Sequence, residues 1–227
     1  MAFLDNFLFG IYPYIAGAVF LLGSLIRYDR EQYTWKTGSS QMLRSKNFRI
    51  ASGFFHIGVI TILLGHFAGL VIPYEIWHAF GVTVEAKQII AMGVGGLFGV
   101  ICFIGLTLLV YRRLFDPRVR ATSTRMDIAI LLLLYAQLIL GLISITVSSG
   151  HMDGAEMLKL MNWTRHTIIF QPTEAVEFIS EVHWIYKAHV ALGMTLFLLF
   201  PFSRLVHIWS VPVKYIRRNY QVVRQRG

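Results

Sequence analysis

A single cysteine, Cys102, is all the thiol chemistry in this chain, and it lies inside an apolar run. One thiol excludes a disulfide, a CxxCH site for covalent haem, and any cysteine set able to hold an iron–sulfur cluster or structural zinc. At that position it reads as a small buried apolar residue. Charge is scarce too: only 15% of the 227 residues are Asp, Glu, Lys or Arg, too few for one water-soluble domain of this size. No repeat, low-complexity tract, phosphate-cradling glycine loop or separate soluble domain is legible, so residues 1–227 read as a single domain. The first apolar run has no basic residue ahead of it and carries Asp5, so it lacks the positive start of a secretory signal and reads as a retained span.

What the chain has in abundance is apolar surface, with 56% hydrophobic residues, 14% aromatic residues and a mean hydropathy of +0.58. Five segments, near residues 3–26, 50–72, 88–111, 127–147 and 183–209, are long enough to cross a membrane. At about 1.5 Å per helical residue each covers a hydrocarbon core of roughly 30 Å. The expected fold is therefore all-α, an integral membrane bundle of five transmembrane helices. The net charge of +9 is distributed by topology: seventeen Lys and Arg fall at 27–49, at 112–125, at Arg204 and in the tail from Lys214, against four on the other side, Lys87, Lys159, Arg165 and Lys187. Basic residues accumulate on the cytoplasmic side, which puts the N-terminus outside and the C-terminus in the cytoplasm. The basic balance then points to anionic lipid or an acidic cytoplasmic partner, and not to nucleic acid. Tyr12, Tyr14, Trp77 and Trp184 are expected at the outer interface, and Trp35, Tyr111, Trp209 and Tyr215 at the inner one. The stretch 148–182 is expected outside, folded onto the bundle as a short amphipathic helix and loop.

Two spans carry histidines with no carboxylate at their depth. His56 and His66 are ten residues apart in the second span, about 15 Å of helix. His189 and His207 are eighteen apart in the fifth, five turns or about 27 Å on one helical face, with Pro201 positioned to bend the segment between them. The two spans run in opposite directions, which levels His66 with His189 near the outer face and His56 with His207 near the inner one. Unpaired polar groups in lipid are costly, so each pair calls for a shared partner. A b-type haem fits, since its iron takes two axial imidazoles and needs no covalent attachment. Zinc does not, because ligands separated by several turns cannot meet at one ion. A proton relay would bring carboxylates to mid-depth. Packing histidines in a haem-free scaffold or transporter is the remaining reading. Glycines 53, 58, 65, 69 and 193 would admit either a flat macrocycle or another helix. His78, His151, His166 and His183 fall in outer segments with ordinary solvated roles.

With these residues in view, the chain resembles along its whole length the cytochrome b (gamma) subunit of the membrane-bound respiratory nitrate reductase. The resemblance rests on FGIYPYIAGAVF, QYTW, SSQML, FHIG, GHF, RLFDPRVRATST, HMDGAEMLKL and GMTLFLLFPFSRLVHIWSVPVKY. It implies a multi-pass protein of the bacterial cytoplasmic membrane holding two haem b groups, the inner on His56 and His207 and the outer on His66 and His189. It implies oxidation of menaquinol or ubiquinol near the outer haem, at a site matching Lys87, Gly65 and His66. Electrons would then pass inward to an iron–sulfur (beta) subunit and a molybdenum-containing (alpha) subunit that reduces nitrate. Position alone makes Arg112, Arg113, Lys187 and Arg204 candidates for the haem propionates. Two departures touch the quinol end: the outer loop before VEAKQIIAM is one residue longer than the family pattern, and Lys187 stands where arginine is expected. The nearest alternative is the dihaem cytochrome b anchor of another quinone-linked enzyme, such as a formate dehydrogenase or hydrogenase. For Lys87 itself, a lysine snorkelling at the membrane edge is the plain alternative to a quinol contact.

Overall fold

The computed structural model of the chain describes residues 2–31, 33, 35 and 46–210. SSQML, Tyr215 and the basic tail from Lys214 lie outside the described residues. The first span runs from α1 (Ala2–Asp5) through π-helical turns at Asn6–Ile11 into α2 (Tyr12–Arg30). The second is α3 (Lys46–His66), which ends in π-helical turns at Phe67–Val71. A short α4 (Tyr74–Ala79) leads to the third span, α5 (Val84–Phe115), whose first turn is capped by Thr83 Oγ1 accepting from the Ala86 amide. A five-residue α6 (Pro117–Ala121) precedes the fourth span, α7 (Arg125–Ser148). The start of α7 is fixed by a reciprocal cap, Thr124 with Asp127, which satisfies two backbone donors that a helix start leaves open. The fifth span holds α10 (Trp184–Leu199). Five helices are thus long and apolar enough to cross a membrane, and strands are absent among the described residues. Their outward faces carry exposed Leu, Ile and Phe, such as Leu21, Leu64 and Leu97, as lipid-facing surfaces do.

Packing is closest between α3 and α5. A Cβ at Gly58 would stand 2.5 Å from the Cβ of Cys102 and 2.8 Å from its backbone nitrogen, and one at Gly105 would collide with the backbone of Phe55. Backbone cannot yield as a side chain can. Gly58→Ala is therefore expected to destabilise the bundle by about 1–3 kcal/mol, read as a lower melting temperature in detergent. An unchanged melt would mean that α3 and α5 separate freely there.

The outer stretch folds as two helices, α8 (Ala155–Ile168) and α9 (Pro172–Ser180), where one short helix and a loop were expected. Gln171 and Pro172 break the run, and the two helices together roof a core of Phe9, Trp163, Ile179, Ile185 and Tyr186. Trp163 Nε1 donates to the Phe9 carbonyl at 3.1 Å, tying this roof to the first span. Lys187 and Asp5 form an ion pair at 3.1 Å across α10 and α1. Tyr12 and Tyr14 are half-buried, and their hydroxyls bond Thr195 Oγ1 at 2.9 Å and the Thr167 carbonyl at 3.1 Å. Trp184, Tyr111 and Trp209 remain exposed.

The fifth span is not one helix to residue 209. After Leu199 the chain tightens into a 3-10 turn at Phe200–Phe202, passes through extended Ser203, and resumes as a second 3-10 turn at Arg204–Ser210. Pro201 supplies no amide hydrogen, so the helical ladder fails there. Arg27 of the first span donates to the carbonyls of Pro201 and Ser203 at the break. Gly23 lets that span come close, since a Cβ there would sit 2.9 Å from the Pro201 ring. His207 therefore stands on a separate turn, and the five-turn spacing from His189 is replaced by a broken path.

Candidate cofactor and quinol site

The structure brings the four span histidines together in two couples. His56 of α3 and His207 have ring centres 6.4 Å apart with planes at 67°, and His66 of α3 and His189 of α10 have ring centres 5.9 Å apart at 30°. The antiparallel arithmetic thus holds despite the break, because the 3-10 turn keeps His207 level with His56. Among the described residues there is no group of three or more His, Cys, Asp or Glu that could hold a metal ion, so each couple stands alone.

Backbone carbonyls set the ring chemistry. His56 Nδ1 lies 2.7 Å from the Ser52 carbonyl, His66 Nδ1 lies 2.8 Å from the Ile62 carbonyl, and His207 Nδ1 bonds the Arg204 carbonyl. A carbonyl only accepts, so these Nδ1 atoms carry the hydrogen and each Nε2 keeps its lone pair for a ligand. Metal-binding histidines are commonly oriented in this way. Two metal–nitrogen bonds of about 2 Å each, plus the two half-rings, come to about the separation seen in both couples. Gly53, Gly65 and Gly69 face open space, whereas Gly58 serves the packing of α3 on α5, so the glycines divide between the two uses expected of them. The donor set and its spacing fit b haem.

Beside the His56–His207 couple, Asp127 gathers two of the cations expected at the propionates. Arg204 Nε donates to Asp127 Oδ1 at 2.7 Å, and Arg113 Nη1 stands 3.9 Å from Oδ2. Since the Arg204 carbonyl also receives His207 Nδ1–H, this ion pair anchors the turn that presents His207. Arg112 lies 4.7 Å over the Phe48 ring. Lys187 is turned toward Asp5 and the Ser180 carbonyl.

Beside the His66–His189 couple stands Gln137, which sequence reading missed. Its Nε2 donates to the His189 carbonyl at 3.1 Å and lies 3.3 Å from His189 Nε2. The signal was a lone amide in the middle of the most apolar span. Gly141, one turn on, leaves room for the imidazole, whose Cε1 would be 3.1 Å from a Cβ there.

Lys87 does not snorkel. It is 4% exposed, and its Nζ points inward to the Gly69 carbonyl at 2.7 Å and Met161 Sδ at 2.8 Å, with the Trp77 ring centre 5.5 Å away. The acceptor belongs to the π-helical turns that follow His66, so lysine and outer couple share one structural piece. Gly65 lies one residue before His66, and nothing stands within 4 Å of where its Cβ would be. Beside Met161 a cavity of about 50 Å³ opens among Leu70, Val71, Tyr74 and Asn162, with the Arg165–Glu75 ion pair at 3.1 Å on its rim.

The chain is similar to known proteins along its length. A family model described as nitrate reductase gamma subunit matches residues 5–226. The chain is 54% identical over 226 residues to the respiratory nitrate reductase 1 gamma chain of Escherichia coli (strain K12), covering 100% of both. It is 46% identical over 224 residues to the respiratory nitrate reductase 2 gamma chain of the same organism, covering 99% of this chain and 98% of that one. It is 34% identical over 220 residues to the nitrate reductase gamma chain of Bacillus subtilis (strain 168), covering 97% and 98%. With the match running from one end of the sequence to the other, the chain belongs to the nitrate reductase gamma subunit family.

Proposed function

We propose that this chain is the membrane-anchoring, quinol-oxidising subunit of a respiratory nitrate reductase in a bacterial cytoplasmic membrane, and that it holds two b haems. His56 and His207 take the inner one, His66 and His189 the outer. The observation that carries this reading is the pair of facing imidazole couples, 6.4 and 5.9 Å between centres. When bound, a b haem supplies a one-electron relay.

The chain's own residues do the rest. Lys87 offers a buried ammonium to a quinol oxygen beside the outer couple, and Gly65 and His66 border the same end of α3. Both quinol protons leave on the side of the N-terminus, which the basic loops put outside. Electrons leave on the other face, where exposed Arg118, Arg120 and Arg125 offer an acidic partner a docking surface. The partners are an iron–sulfur (beta) and a molybdenum-containing (alpha) subunit, since nothing in this sequence provides cluster ligands. The separation of protons from electrons charges the membrane without a pump.

The reduced-minus-oxidised absorption spectrum and haem-to-chain ratio of the purified complex test the first half, with two b haems expected and none overturning it. Sealed vesicles test the second. Nitrate-driven quinol oxidation should acidify the side of the N-terminus, and acidification of the cytoplasmic side would move the quinol site to the inner couple.

A further inference from the structure

Three of the four facing histidines hand their Nδ1 hydrogen to a carbonyl of their own chain, and His189 does not. Its Nδ1 is buried and has no partner among the described residues. Oε1 of Gln137 is likewise buried and without a donor, in the same contact. The two side chains touch through Gln137 Nε2 and His189 Nε2, at 3.3 Å, so a ring donor lacking an acceptor and an amide acceptor lacking a donor lie on one pair of touching side chains, in a medium where neither finds water.

The helices around them are shaped for this meeting. Gln137 and Gly141 are one turn apart on α7, and His189 and Gly193 are one turn apart on α10. Gly141 clears the space of the imidazole, and Gly193 clears that of the glutamine, whose Nε2 would be 3.3 Å from a Cβ there. Each large side chain lies over the other helix's glycine.

We propose that Gln137 is the positioning residue of the outer couple: once iron takes His189 Nε2 from the amide nitrogen, the amide oxygen turns to receive the Nδ1 hydrogen. This rests on the haem reading above. The amide nitrogen keeps its hold on the His189 carbonyl, so one side chain fixes both the backbone and the ring of the same histidine. An acceptor on the distal ring hydrogen makes the ligating nitrogen more basic, favours the oxidised iron and lowers the haem's potential. Gln137 then sets the outer haem's potential relative to the inner one.

Potentiometric titration of the purified complex, followed by absorption, tests this in Gln137→Leu, Gln137→Glu and Gly193→Ala. The outer haem should shift to higher potential in Gln137→Leu, which removes the acceptor, and to lower potential in Gln137→Glu, which strengthens it. Gly193→Ala, which displaces the amide without removing it, should shift the outer haem in the direction of Gln137→Leu. The inner haem should stay fixed in all three. A packing role would give Leu and Glu shifts of the same sign or none, and that result with both haems bound overturns the proposal. Should Gln137→Leu shed its outer haem, opposite shifts in Gln137→Glu and Gly193→Ala support the proposal, and equal shifts or none overturn it. Absence of haem from the unsubstituted complex would instead defeat the haem reading on which the proposal stands.

Discussion

His66→Ala and His189→Ala should each lower the haem content of the complex from two per chain to one, with the inner haem's spectrum intact. His56→Ala and His207→Ala should do the reverse. The expectation follows from the couples being separate: each iron would have its two axial ligands from one couple, and 15 Å of helix lies between His56 and His66, by about 1.5 Å per residue. A haem held without covalent bonds keeps its site through those two ligands and its packing, so removing one imidazole leaves too little to retain it. The outer variants should also lose quinol-driven haem reduction. The inner variants should keep reduction of the outer haem and lose nitrate reduction. A content of two haems per chain in any one of the four would remove that histidine from the ligand set.

Much of this was legible in the sequence, because lipid imposes a length and a polarity on whatever crosses it. The five spans follow from that constraint, and the pairing of His66 with His189 and His56 with His207 follows from opposed helix directions. What was not legible depends on contacts between distant residues. Pro201 announced a bend, but the extended Ser203 and its 3-10 continuation are held by Arg27, 174 residues before the proline in the chain. Lys87 looked like a membrane-edge lysine because nothing local marks the side chain that covers it, Met161, 74 residues later. Lys187 looked available to a propionate until Asp5 was brought beside it from the other end of the sequence. Gln137 carried a local sign in its apolar span, and only the packing of α7 on α10 gave that sign a partner.

Lys87→Ala should slow quinol-driven haem reduction by about 10- to 100-fold while both haems remain bound. The lysine is buried, yet among the described residues no carboxylate stands within ion-pair distance of its Nζ, which has a carbonyl at 2.7 Å and a thioether at 2.8 Å. A thioether is a weak acceptor, so a quinol oxygen entering beside Met161 replaces it with a gain. A hydrogen bond to a charged group contributes roughly 1.5–3 kcal/mol, which is the loss expected in the alanine variant and the source of the factor. A quinol-analogue inhibitor should weaken by a similar factor, since it would use the same donor. Met161→Leu separates the ammonium from its surroundings: it keeps the volume, removes the competing acceptor, and should leave the rate within a few-fold of the unsubstituted complex. Equal losses in Lys87→Ala and Met161→Leu would assign the effect to packing around the cavity. Reduction at the unsubstituted rate in Lys87→Ala would leave the lysine only its bond to Gly69, a brace for the π-helical turns after His66, and the quinol site would have to be sought elsewhere on the outer face.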